Sequence, residues 1–135
     1  MTTSHRHQAR NRGRLRIIGG RWKRHTLNFT GGPDLRPTPD AVRESLFNWL
    51  TPAVSQARCL DLFAGSGSLG LEAISRGAKY CYFYEIVKEV IETLESNCLK
   101  ICKYNNYKII KKDITKSFFE EIDNPLSVIF IDPPY

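Results

Sequence analysis

Three things are missing from this sequence. No aspartate or glutamate occurs in the first 33 residues, no stretch of about 18 apolar residues occurs anywhere, and no two of its four cysteines stand in C-x-x-C spacing. Without a long apolar run no helix of this chain spans a bilayer. Without an apolar segment behind the N-terminal charges, the start is not a secretory signal. The chain therefore reads as soluble, intracellular and cytoplasmic. Cys59, Cys81, Cys98 and Cys102 lack the usual zinc spacing. Cys98 and Cys102 lie one helical turn apart, but no further pair completes a site, so reduced, buried thiols and no metal are expected. No internal repeat is visible. At 135 residues, 41% hydrophobic and 25% charged, the chain suits one globular domain rather than a disordered one.

The missing acids make the charge asymmetric. Residues 1–33 hold eight cations (Arg6, Arg10, Arg12, Arg14, Arg16, Arg21, Lys23 and Arg24), while the remainder holds twelve Lys and Arg against fourteen Asp and Glu. The net charge of +6 thus arises in the first quarter. A basic arm on a near-neutral body suggests a polyanionic partner, although a solvated tail carries the same composition.

Residues 1–12 read as a disordered tail. Residues 14–30 alternate weakly about Gly19-Gly20, with Leu15 and Ile17 before and Thr26 to Phe29 after, as in a short hairpin. Gly31-Gly32-Pro33 breaks the chain. A helix is expected from Thr38, which can cap it, with Pro39 in the first turn and Asp40 near the positive dipole end. Val42, Leu46, Trp49 and Leu50 share its apolar face, and Pro52 ends it.

From residue 58 the pattern becomes strand–turn–helix. Strands are expected at Cys59–Ala64, Lys79–Tyr84, Tyr107–Ile110 and Leu126–Ile131. Helices are expected at Ser66–Arg76 and along a stripe of Val87, Val90, Ile91, Leu94, Cys98, Ile101 and Cys102. Such alternation implies an α/β fold, a mostly parallel sheet with helices on both faces. The division is then 1–33 as basic tail and hairpin, and 34–135 as the α/β domain. Four strands are fewer than such open sheets usually contain, so the chain reads as the front part of a longer protein.

Residues 61–70 read Asp-Leu-Phe-Ala-Gly-Ser-Gly-Ser-Leu-Gly. Gly65, Gly67 and Gly70 fit G-x-G-x-x-G, and Glu85 closes the next strand twenty residues after Gly65. Alone that is the dinucleotide fingerprint, or an ordinary tight βα turn. Asp61 argues against a dinucleotide, because a carboxylate beneath the loop would repel a pyrophosphate. S-adenosylmethionine carries an ammonium and a sulfonium instead. Its carboxylate can lie at the helix N-terminus after Gly67, and Glu85 can accept from both ribose hydroxyls. Asp113, after the third strand, can accept from the adenine amino group, or simply pair with Lys111 and Lys112.

The chain ends Ile131-Asp132-Pro133-Pro134-Tyr135. An exocyclic amine of a base is a poor nucleophile because its lone pair is delocalised into the ring. Two acceptors on its hydrogens, the Asp132 carboxylate and the Pro133 carbonyl, help the nitrogen pyramidalise. Pro133 and Pro134 fix their own φ and withhold amide donors. Tyr135 offers a face on which an extruded base stacks. Orientation and charge placement suffice, without a covalent intermediate. The plainer reading is a Pro-Pro turn ending a strand.

Asp61 to Gly70, Glu85 and Asp132 to Tyr135 together resemble the Rossmann-like S-adenosylmethionine-dependent amino-methyltransferases. Arg16-Ile-Ile-Gly-Gly-Arg-Trp22 followed by Leu35-Arg-Pro-Thr-Pro-Asp-Ala-Val-Arg-Glu-Ser-Leu-Phe-Asn-Trp-Leu50 narrows this. The chain, from about Arg14 to its last residue, is similar to the bacterial 16S rRNA guanine-(exocyclic amino)-methyltransferase family. The resemblance implies methylation of one guanine of 16S ribosomal RNA on an assembling small subunit, by a monomer. It implies S-adenosylmethionine bound by Asp61, Phe63, Ala64, Gly65, Ser66, Gly67, Glu85 and Asp113. Arg14, Arg16, Arg21, Lys23 and Arg24 would contact RNA. Two departures stand out. The family often has a second acid shortly after Glu85, where Ile86 and Val87 stand here. Members also continue for roughly fifty residues or more, the length of three strands and a helix, and those strands support Tyr135 and help bind the base. Three alternatives remain open: a DNA adenine methyltransferase, which normally adds a recognition domain; a protein-glutamine methyltransferase, which usually has Asn at the position of Asp132; and an inactive RNA-binding fragment.

Overall fold

A computed structural model describes residues 11–31, 37–113, 122 and 124–133. Among these, two strands form an antiparallel hairpin, β1 (Asn11–Arg16) and β2 (Thr26–Gly31). Helix α1 (Asp40–Val54) follows. Then come β3 (Arg58–Asp61), α2 (Ser68–Ser75), β4 (Tyr80–Tyr84), α3 (Lys88–Ile101), β5 (Tyr107–Ile110) and β6 (Val128–Phe130). The last four strands make one parallel sheet in the order β5-β4-β3-β6. The chain steps outward from β3 to β5 and then returns to the other side of β3. The strand order therefore reverses between β3 and β6, and the carboxyl edge at such a reversal is where open α/β sheets bind ligands.

The period of two along each strand sorts the core. Cys59, Cys81, Phe83, Val128 and Phe130 belong to a large cluster that also takes Phe47 and Val54 of α1, Leu71 of α2 and Leu94, Cys98 and Ile101 of α3. Leu60, Tyr82, Tyr84 and Ile110 form a smaller cluster on the opposite face, with Ile122 and Leu126 against it. All three described helices thus share one face. Helices on both faces were expected; among the described residues none covers the second face, and residues 114–121 and 123 lie outside them. Gly70 explains the close approach of α2 to the sheet, since a Cβ there would stand 2.4 Å from Phe83 Cε1.

Several expectations are corrected. Asn11 and Arg12 belong to β1 rather than to a disordered tail, and Gly31 to β2 rather than to a break. Helix α1 starts at Asp40, with Pro39 as its cap and no side-chain cap bond; Thr38 spends its hydroxyl elsewhere. Pro52 does not end the helix, which runs to Val54. The proline lies exposed in the last turn, where one missing N–H is tolerated, and Val54 is fully buried beyond it. The buried stripe of α1 is Arg43, Phe47 and Val54, not the stripe of Val42, Leu46, Trp49 and Leu50. Leu46 and Leu50 pack partly against the core, but Val42 is 52% and Trp49 88% exposed. Val87 caps α3 from an exposed position instead of joining its stripe.

The displaced stripe has one cause. Arg43 is fully buried because Glu72, also fully buried, faces it at 3.2 Å. Glu72 further accepts from Arg76 Nε at 2.7 Å and from the backbone N–H groups of Ile18 and Gly19, both at 2.9 Å. The hairpin is thereby fastened to α2. Ile17 and Leu27 of the hairpin segment enter the main core, and Gly20 (φ +79°) passes so close to Ser75 that a Cβ would overlap its carbonyl oxygen.

Candidate active site

Four acids stand at the carboxyl ends of the four sheet strands, in the spatial order Asp113, Glu85, Asp61, Asp132. Asp61 is the last residue of β3, in register with Phe83 of β4 and Phe130 of β6. Glu85 and Asp132 each follow those partners by two residues. The Glu85 N–H bonds the Ile110 carbonyl at 3.1 Å, which keeps the end of β5 and the Asp113 segment at the same edge.

Asp61 is 1% exposed. Its Oδ2 accepts the Gly70 N–H at 3.1 Å, in the first turn of α2, while Oδ1 is buried without a partner among the described residues. Burial pushes the carboxyl up to about 7; the Gly70 N–H opposes this, and the nearby Asp132 and Glu85 charges add to it. A buried carboxylate oxygen that lacks a donor is costly unless a cation or donor completes it.

The loop between β3 and α2 is shaped by Gly65 (φ +56°) and Gly67 (φ +86°), both in the left-handed region that glycine tolerates. A Cβ on Gly67 would press Leu94 at 2.7 Å, so that glycine serves packing. At Gly65 a Cβ would meet nothing within 4 Å, so its backbone borders open space. Its N–H is held by Glu85 Oε1 at 2.9 Å. Glu85 Oε2 accepts the Ile86 and Val87 N–H groups, both at 3.1 Å. Oε1 retains a lone pair for a further donor, whereas Oε2 already accepts two N–H groups. Phe63 is half-buried, Ala64 and Ser66 are buried, and the Ser66 carbonyl accepts Asn97 Nδ2 at 2.8 Å.

Beyond the end of β6, Asp132 is exposed and Pro133 half-buried. Asp132 Oδ2 accepts the Thr38 hydroxyl at 2.9 Å. Pro134 and Tyr135, the other half of the expected catalytic tetrapeptide, lie outside the described residues. No group of His, Cys, Asp and Glu suited to a metal ion occurs among the described residues. The four thiols are free and buried. Burial, then the Asp61 charge, pushes Cys59 up to about 12, and burial raises Cys81 too. Cys59 and Cys81 stay protonated and offer no nucleophile.

The expected RNA contacts all lie on the hairpin, some on β1 and some in its connection to β2. Arg14 and Arg16 alternate with Leu15 and so project from the exposed face of β1, with Arg12. Arg16 lies 3.4 Å from Asp40. Arg21, Lys23 and Arg24 are exposed in the connection to β2, and the Arg21 guanidinium covers the rings of Trp22 and Tyr104 at 5.3 and 5.0 Å. No helix among the described residues is long and apolar enough to cross a membrane.

Sequence reasoning missed Thr38, Arg43, Glu72 and Asn97 as parts of this framework. Asn97 bonds both the carbonyl and the N–H of Asn28 in β2, at 2.8 and 3.0 Å, tying the hairpin to the glycine loop. The available signal was a polar residue inside an apolar helical stripe, between Leu94 and Cys98.

A parallel sheet with a strand-order reversal, a glycine loop open at Gly65 and an acid at the end of the first sheet strand define the Rossmann-like methyltransferase class. A solved Escherichia coli protein, yhhF, described as a candidate methyltransferase, has the same fold: TM-score 0.78 and 41% identity, covering 91% of this chain and 65% of that one. The chain belongs to the family described as conserved hypothetical protein 95, whose model matches residues 15–135. It is 44% identical over 123 residues to ribosomal RNA small subunit methyltransferase D of Escherichia coli, covering 91% of this chain and 61% of that protein. The protein of the same name from Haemophilus influenzae is 41% identical over 126 residues, covering 92% and 65%. The chain thus spans about three fifths of the length of the curated relatives it matches.

Proposed function

We propose that the protein containing this chain transfers a methyl group from S-adenosylmethionine to the exocyclic amino group of a guanine in 16S ribosomal RNA. The observation that carries the reading is the buried Asp61 carboxylate, whose Oδ1 lacks a partner among the described residues beside a glycine loop open at Gly65. Such an oxygen fits an ammonium and does not fit a pyrophosphate. When bound, the cofactor supplies an electrophilic methyl on a sulfonium. Asp61 and the α2 N-terminus would hold its amino-acid end, Glu85 its ribose hydroxyls and Asp113 its adenine amino group, with Phe63, Ala64, Ser66 and Gly67 lining the loop. The methyltransferase names of the relatives and their ribosomal RNA substrate support the reaction class and the polymer.

On the substrate side, Asp132 accepts a hydrogen bond from the target amine and the Pro133 carbonyl accepts the second. Both follow β6, the strand next to β3, so the acceptors and the cofactor site stand at the same edge of the sheet. Tyr135 stacks the base, and Arg14, Arg16, Arg21, Lys23 and Arg24 neutralise phosphates. The hairpin and the α/β unit divide these tasks, RNA contacts in 1–33 and transfer in 34–135. The protein works in the cytoplasm as a monomer.

The test compares the parental full-length protein with its Asp132→Ala variant, on 16S ribosomal RNA and on assembling subunits. Asp132→Ala is expected to slow transfer by roughly 10²–10³-fold, the cost of a lost transition-state partner, with cofactor affinity by calorimetry unchanged. Parental transfer by that variant, or tight binding of NAD with none of S-adenosylmethionine, would refute the reading.

A further inference from the structure

Asp132 is the exposed member of the strand-end acids on either side of the switch point, and it follows a strand of only three residues. A carboxylate so placed has several rotamers open to it. One neutral hydroxyl selects among them: Thr38 Oγ1, at 2.9 Å from Oδ2. Thr38 comes from the far end of the sequence, 94 residues away, and it is itself held firmly. Pro37 and Pro39 flank it, which fixes two φ angles and restricts Thr38 to extended backbone. Its carbonyl accepts Arg43 Nε at 3.2 Å. Arg43 is fully buried and anchored in turn to the Arg16 carbonyl at 2.8 Å and to Glu72 at 3.2 Å.

We propose that Thr38 is a positioning residue for methyl transfer: it occupies Asp132 Oδ2 and thereby holds the carboxylate so that Oδ1 meets the target amine. This rests on the reading of Asp132 as an acceptor for that amine. The hydroxyl touches neither substrate nor cofactor and acts through Asp132. The clamp is continuous with the hairpin, because the Glu72 that anchors Arg43 also binds the Ile18 and Gly19 N–H groups. The basic segment and the candidate catalytic acid are therefore built on one rigid support, which suits an enzyme that must present one amine of a large polymer within a fraction of an ångström.

The experiment uses full-length protein with Thr38→Val, Thr38→Ser, Asp132→Ala and the Thr38→Val/Asp132→Ala double variant. Valine keeps the shape and removes the donor; serine keeps the donor. Thr38→Val is expected to lower kcat by roughly ten- to hundred-fold, the range for a lost hydrogen bond to a charged group. KM for RNA, cofactor affinity and thermal midpoint should remain parental. Thr38→Ser should restore most of the rate, and the double variant should be no slower than Asp132→Ala. A crystal structure of Thr38→Val should show the Asp132 side chain turned or spread over rotamers. Parental kcat in Thr38→Val, beside a crippled Asp132→Ala, would overturn the role of Thr38 and leave the proposed function standing. Serine no better than valine, or an Asp132 side chain unmoved by valine, would also overturn it. Parental turnover in Asp132→Ala would instead remove the reading on which the proposal rests.

Discussion

Replacing Glu72 with methionine would test whether one buried carboxylate fastens the hairpin to the α/β unit. The substitution keeps the volume and deletes the charge. It takes from the fully buried Arg43 its buried counter-charge, leaving it, among the described residues, the Arg16 and Thr38 carbonyls and the half-exposed Asp40. Breaking a buried ion pair from one side costs about 3–5 kcal/mol. The Ile18 and Gly19 N–H groups lose their acceptor as well, at about 1–3 kcal/mol each for a buried orphan. These groups share one partner, so the sum is not additive. A loss of roughly 5 kcal/mol is expected, a large part of the usual 5–15 kcal/mol of a domain. At about 4 °C per kcal/mol for this size, the thermal midpoint by circular dichroism should fall by roughly 20 °C. The companion Arg43→Met/Glu72→Met protein removes both charges and should recover part of the loss, because a buried pair replaced by apolar groups is often neutral. It should not reach the parent, since the two N–H groups remain unpaired. A midpoint within about 4 °C of the parent for Glu72→Met, or a cycle without coupling between residues 43 and 72, would refute the argument.

Asp61 sets a pH dependence. Its folded-state pKa is raised to about 7 from 3.8, so the native state binds more protons than the unfolded one between those values and stability falls as pH rises through that window; Asp61→Asn should flatten that slope in urea titrations at pH 4 to 8. Cofactor binding to the ionised form should tighten between about pH 5 and 7 and release a proton near pH 6, read by calorimetry in buffers of different ionisation enthalpy; proton uptake would contradict it. Arg14→Gln/Lys23→Gln/Arg24→Gln removes three exposed cations and should lessen the salt slope of RNA binding by about two to three at unchanged thermal midpoint. Deleting residues 1–24 is the poorer test, because it takes away Ile17, 1% exposed, and the two donors to Glu72. Gly70→Ala should destabilise by about 1–3 kcal/mol through overpacking against Phe83. Gly65→Ala, in open space but at φ +56°, should cost about 1 kcal/mol in stability and weaken the cofactor disproportionately; parental cofactor affinity would remove Gly65 from the site.

The strand and helix order, the glycine loop and the acids at the strand ends were legible in the sequence because each depends on neighbours within a turn or a strand. Hydrophobic period, glycine at positive φ and acids closing apolar runs are local signals, and β5 falls on the residues expected for it, Tyr107–Ile110. The face of α1 was not legible. A pattern of apolar residues puts Val42 and Trp49 inwards, whereas the structure turns Arg43 and Phe47 inwards, because an arginine is buried only when a partner stands across the core. That partner, Glu72, comes from another helix, and its two backbone donors lie 54 and 53 residues away in the hairpin. Thr38 likewise has the composition of a helix cap and the contact of a site residue, since whether its hydroxyl caps α1 or meets Asp132 depends on where β6 ends. A polar side chain satisfies its hydrogen bonds with whatever the fold brings within about 3 Å, and only the packed chain decides what that is.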